Sequence, residues 1–265
     1  MSKTSKRYVQ IIEAIFSRHY RQGDTVVTFE RAEIIQAAQE SGVELPRNLG
    51  DLVYTFRYRG KLPESITSKA PTGYEWILRP AGRARYRFEL ARQIGIAPNP
   101  AMAEVKILDA TPGIITKYAL NDEQALLAKL RYNRLIDVFT GLACYSLQNH
   151  LRTTVPGVGQ VETDEIYIGV DKRGAHYVMP VQAKSMSERI GVVQIEQDLA
   201  MCAAKFPHLI CRPIAAQFMA DQIIALFELE QTDEGIAIST ERHYRLVPPQ
   251  ALSVDELITY QQRLA

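Results

Sequence analysis

The chain has 265 residues, 46% of them apolar and 23% charged, as in an ordinary globular protein with room for two domains. No apolar run approaches the roughly 18 to 20 residues needed to cross a bilayer. The basic start, Met-Ser-Lys-Thr-Ser-Lys-Arg, lacks the apolar stretch of a secretory signal, so a cytoplasmic protein with no membrane partner is expected.

The net charge of +1 hides an asymmetry: residues 1–100 hold 16 Lys and Arg against 10 Asp and Glu, and the rest 15 against 20. A basic front half suits a polyanion, and an acidic back half can gather carboxylates for a cation. Cys144, Cys202 and Cys211 form no Cys-x-x-Cys pair, which argues against a disulfide framework or a four-cysteine zinc site.

In chain order, Tyr8, Ile11, Ile12, Ile15 and Phe16 repeat at helical spacing, and Gly23-Asp24 ends the run. A second helix fits 30–40, with Ile34, Ala37 and Ala38 on one side. A third fits 47–58, with Leu49, Leu52, Val53 and Phe56 as its apolar stripe. Its other face carries Arg47, Asn48, Tyr54, Thr55, Tyr58 and Arg59, with Arg57 between. A strand at 66–68, a Pro71-Thr72-Gly73 turn and a strand at 74–78 follow, then a basic segment with Arg83, Arg85 and Arg87. Three short helices and a basic hairpin resemble a winged helix-turn-helix domain. The resemblance implies double-stranded DNA as partner, with the third helix in the major groove and the hairpin along phosphates.

Prolines 98, 100 and 112 with Gly95 and Gly113 mark a boundary. The expected division is a domain over 1–95, a linker over 96–113 and a second domain over 114–265. The second begins with a helix over 121–139, where Asn121 and Gln124 make a capping-box pattern. Strands follow at 160–171 and 176–184, a helix at 187–205, strands at 209–217, 222–230 and 242–247, and a last helix capped by Ser253 and Glu256. That order fits a mixed sheet flanked by helices. The expected class is therefore α/β (α+β), a winged helix plus a mixed-sheet domain.

The chemistry concentrates in Asp164-Glu165-Ile166-Tyr167-Ile168-Gly169-Val170-Asp171, a Lys-Arg-Gly turn, and Tyr177–Lys184. Alternation puts Gln182 and Lys184 on one face of their strand, and Glu162, Asp164 and Ile166 on one face of the preceding strand. Acids opening one strand and Gln-x-Lys closing the next resemble the active-site hairpin of the PD-(D/E)xK nuclease superfamily, with Gln where Asp or Glu is usual.

The resemblance covers nearly the whole chain and implies a Mg²⁺-dependent endonuclease akin to type II restriction enzymes, with Mn²⁺ as substitute, no nucleotide cofactor and a homodimer. It makes Asp164 the main metal ligand, with Glu165 as the alternative, and Glu123 the helix acid. Gln182 would give an amide oxygen or orient water. Lys184 would stabilise transition-state charge or help deprotonate the attacking water. The rival expectation is a non-catalytic winged-helix regulator whose second domain is a decayed nuclease-like dimerisation domain.

Overall fold

The computed structural model describes residues 3–45, 49–59, 62–92, 96–119, 123–186, 188, 190–233 and 235–262. The chain is a mixed α/β protein of two compact units, Met1–Gly95 with Thr153–Val161 and Ile96–Arg152 with Glu162–Ala265.

The first unit runs α1 (Lys3–His19), β1 (Val26–Glu30), α2 (Arg31–Glu40), α3 (Gly50–Tyr54), a π-helical turn (Thr55–Arg59), α4 (Glu64–Thr67), β2 (Tyr74–Pro80) and β3 (Arg85–Arg92). The stripe Tyr8, Ile11, Ile12, Ile15 and Phe16 is buried, and packs with Val27 and Phe29 of β1 and Trp76, Leu78 and Phe88 of the sheet. Rings of Trp76 and Phe88 meet Phe16 edge-on at 5.1 Å each. The sheet order is β1-β3-β2, all antiparallel.

Three details differ from the sequence reading. Residues 66–68 are not a strand: Ile66 is buried from the short helix α4, and β2 pairs with β3 instead. Strand β1 was missed because its alternation covers only five residues, Val26–Glu30. The third helix changes from α to π winding at Thr55.

The second unit holds a sheet ordered β4-β11-β10-β9-β7-β6-β5. Its elements are β4 (Glu104–Leu108), α5 (Gly113–Tyr118), α6 (Glu123–Tyr132), α7 (Leu135–Thr140), β5 (Ala143–Val155, of which 143–152 belong to this unit), β6 (Gly159–Val170, of which 162–170 belong to this unit), β7 (His176–Lys184), α8 (Val192–Lys205), β8 (Ile210–Cys211), β9 (Ile214–Phe218), β10 (Ile223–Thr232), β11 (Gly235–Val247) and α9 (Val254–Gln262). β7 runs antiparallel to β6 and parallel to β9. It is buried from Val178 to Lys184, as a strand covered on both faces must be. Met179, Val181 and Ala183 pack with Leu126, Leu127 and Leu130 of α6, while Gln182 bonds to α8. The two helices therefore lie on opposite faces of β7.

The interval expected as a linker, 96–113, contributes β4, which pairs parallel with β11. The single helix expected over 121–139 is two, because Arg134 takes a left-handed φ of 49°. Buried Asn133 explains the break. Its amide donates to Thr111 Oγ1 and Lys129 O and accepts from Ala110 N, fastening a distant loop at the helix end. Asn121, read as a cap, lies outside the described residues.

Candidate active site

The hairpin of β6 and β7 supplies the site because its ladder ends early. Pairing runs from Val170↔His176 down to Glu165↔Val181. Beyond it, Ala183 N donates to Asp164 Oδ2 at 2.8 Å, so a side chain takes the place of the next strand carbonyl. The strand alternation shifts there: Thr163 and Gln182 both reach Asp198 on α8, while Glu165 turns to the α6 side. Such a local shift re-aims side chains in the manner of a bulge.

Three groups converge at this end. Lys184, the last residue of β7, donates from Nζ to Glu123 Oε1 at 3.0 Å, with its side chain only 9% exposed. Burial raises Asp164 above the ordinary carboxylate range, against the pull of Lys184, Ala183 N and His150. Burial also raises Glu123, with repulsion from Asp164 and Glu188 opposing the pull of Lys184. Two acids forced together and partly dehydrated are an arrangement that a cation relieves.

Glu165, the alternative ligand, goes elsewhere. It is fully buried and accepts from Arg131 Nε at 3.1 Å, Arg131 Nη2 at 3.2 Å and Ser146 Oγ. A fork-to-fork pair of this kind satisfies a buried carboxylate structurally. Gln182 is also committed: Nε2 donates to Asp198 Oδ2 at 2.8 Å and Oε1 accepts from Gln194 Nε2 at 3.3 Å.

Asp198 was not singled out from the sequence. It is wholly buried, accepts from Thr163 Oγ1 and Gln182, and burial pushes its pKa up to about 7. An acid on the apolar stripe of Ile195 and Cys202 was the available signal.

A hard divalent cation fits Glu123 and Asp164, since one or two carboxylates with water suffice for Mg²⁺. No cluster of three or more His, Cys, Asp or Glu suited to a metal occurs among the described residues. The Gln182 oxygen, already accepting from Gln194, fits that set less well.

Of the DNA-facing candidates, Arg47 and Asn48 lie outside the described residues. Tyr54, Thr55 and Arg57 are half-buried on α3 and the π turn, which also holds the backbone of Tyr58 and Arg59. Thr55 Oγ1 donates to Asp51 O at 2.8 Å within its own helix, so its hydroxyl proton is already engaged. Arg83 and Arg85 are exposed at the β2–β3 hairpin. Arg85 Nε is 3.5 Å from Glu30, and half-buried Arg87 donates to Glu89 at 2.7 Å.

No family model matches the chain, and the comparison with curated proteins finds no match. No helix among the described residues is long and apolar enough to cross a membrane.

Proposed function

We propose that the chain is a Mg²⁺-dependent DNA endonuclease, with the second unit as its hydrolytic domain and the first as a winged-helix recognition domain. The observation that carries this reading is the convergence of Glu123, Asp164 and Lys184 at the start of α6, at the point in β6 where its pairing with β7 stops, and at the end of β7. Glu123 and Asp164 would hold the metal, which neutralises phosphodiester charge and lowers the pKa of bound water. Asp164 is oriented by Ala183 N. Lys184, held by Glu123, presents positive charge where the pentacoordinate phosphorus becomes more negative. The order helix, strand, three helices (α2, α3 with its π turn, and the short α4), then two strands, with sheet order β1-β3-β2, supports the winged-helix reading of the first unit. Double-strand cleavage by one site per chain would call for a homodimer.

One observation favours a second reading, a DNA-binding regulator with a decayed hydrolytic domain. The usual acid is a Gln here, and its amide is bonded at both ends to α8. Plasmid DNA incubated with and without Mg²⁺ separates the two. Cleavage that needs Mg²⁺ and falls about 100-fold or more in Lys184→Ala and Asp164→Asn supports the enzyme. Binding without any cleavage supports the regulator.

A further inference from the structure

We propose that Cys202 and Cys211 are a modification site, a thiol pair that a low-molecular-weight disulfide closes reversibly into a bridge. The inference stands apart from the nuclease reading. Two features of the fold bring the pair together. Val178 of β7 lies in parallel register with Cys211 of β8, and Arg212 N donates to Val178 O at 3.0 Å. Strand alternation puts Val178 on the same face as Gln182, the face that α8 covers. Cys211, in register with Val178, is therefore directed at that helix. Cys202 lies one helical turn beyond Asp198, which bonds to Gln182, so it shares the side of α8 turned to the sheet. The two side chains are hydrogen-bonded to each other.

The chain between them is tied down. Phe206 N donates to Cys202 O at 2.8 Å where α8 ends, and Leu209 N donates to Phe206 O at 3.0 Å just before β8. The contact is thus fixed by the crossover itself. Cys144 is kept apart from the pair. Its Sγ is 3.9 Å from Met179 Sδ, and Met179 packs with α6 on the opposite face of β7.

The two thiols differ in role. Cys211 is half-buried and within reach of a reagent, whereas Cys202 is buried. The bond to Cys211 and burial both raise the Cys202 pKa and hold that group as the thiol. Cys211 therefore reacts first. It loses its proton to solvent and its sulfur attacks the reagent disulfide. That S–S bond breaks, one thiolate leaves and is protonated from solvent, and Cys211 becomes a mixed disulfide. The Cys202 sulfur then attacks the Cys211 sulfur, and its proton goes to the second departing thiolate. The reagent is reduced to two thiols while the cysteine pair is oxidised to one disulfide.

The test treats the full chain with oxidised glutathione in native buffer, quenches with acid and maps unreduced tryptic peptides by mass. Cleavage after Lys205 puts the two cysteines on separate peptides. The expected product has lost two hydrogen atoms, joins those peptides, leaves Cys144 open to alkylation and reverts with dithiothreitol. Cys202→Ala should stop at a glutathione adduct on Cys211, and Cys211→Ser should leave Cys202 unmodified over the same time. The wild-type map decides the matter even if a variant fails to fold. A wild-type chain that stops at the adduct, or that closes the bridge only in urea, overturns the inference. So does a bridge to Cys144, or a Cys211→Ser chain modified at Cys202 as fast as the wild type closes.

Discussion

Lys184 Nζ and Glu123 Oε1 are 3.0 Å apart, tying the last residue of β7 to the first of α6. The pair is unequal: the lysine side chain is 9% exposed and the glutamate 34%. Glu123 therefore stands between a buried cation and the accessible end of the site, where it balances Lys184 against Asp164.

Metal binding by Glu123 and Asp164, as proposed, would be visible as stability. A ligand at about 100 times its Kd adds about 2.7 kcal/mol to a fold that binds it only when native. The wild-type melting temperature should rise with Mg²⁺ in the absence of DNA, while Glu123→Gln and Asp164→Asn should show little rise. Mg²⁺ stabilisation of equal size in all three proteins would place the ion elsewhere.

Glu165 and Asp164 are adjacent in sequence and should separate cleanly in experiment. Glu165→Gln weakens a buried fork to Arg131, which is itself 39% exposed. The expected loss of stability is about 2 kcal/mol, below the roughly 3–5 for breaking a fully buried pair. Cleavage per folded molecule should survive. Asp164→Asn should do the reverse, and chemical denaturation beside an initial-rate assay reads both.

The β6–β7 hairpin was legible because a Gly-containing turn separates two alternating apolar runs whose ends carry the candidate site residues. The choice between Asp164 and Glu165 was not legible, since it depends on where the ladder stops and on Arg131 arriving from α6. β5 was missed for a related reason: Ser146, Gln148, Asn149 and His150 are poor strand residues, held there by pairing to β6. The break at Arg134 came from loop contacts to Asn133, which helical periodicity cannot register.

Replacing the buried amide by an acid in Gln182→Glu has a cost that the sequence did not reveal. The new carboxylate would face Asp198 Oδ2, now 2.8 Å from Gln182 Nε2, at a site buried from solvent. Gln182→Glu alone should lower stability by about 3 kcal/mol. Adding Asp198→Asn supplies an amide donor and should recover most of that loss. A double-mutant cycle by urea denaturation gives the coupling, and purely additive losses would show that the two side chains do not interact.

Asp198 should also leave a mark on the pH dependence of folding. Its folded pKa of about 7 lies above the ordinary Asp value, so the native state holds a proton that the unfolded chain releases near pH 4. Its contribution to stability is full below about pH 4 and is lost as pH rises to about 7, at up to about 1.4 kcal/mol per pH unit. Asp198→Asn should flatten that window. Identical pH–stability curves for the wild type and the variant would show that Asp198 does not hold the extra proton.

The arginines of the β2–β3 hairpin differ in what already occupies them, and DNA binding should rank them accordingly. Arg87 donates to Glu89 at 2.7 Å and is half-buried, whereas Arg83 is exposed at the turn. If the hairpin lies along phosphates, Arg83→Ala should weaken binding to specific and unrelated duplexes by the same factor. It should also lower the salt slope by about 1, the signature of one lost phosphate contact. Arg87→Ala should change the slope less, because in the wild type its guanidinium must first leave Glu89. Fluorescence anisotropy across a salt series gives both slopes. A loss confined to one duplex sequence would instead assign Arg83 to base contacts, and unchanged slopes in both variants would remove this hairpin from the DNA interface.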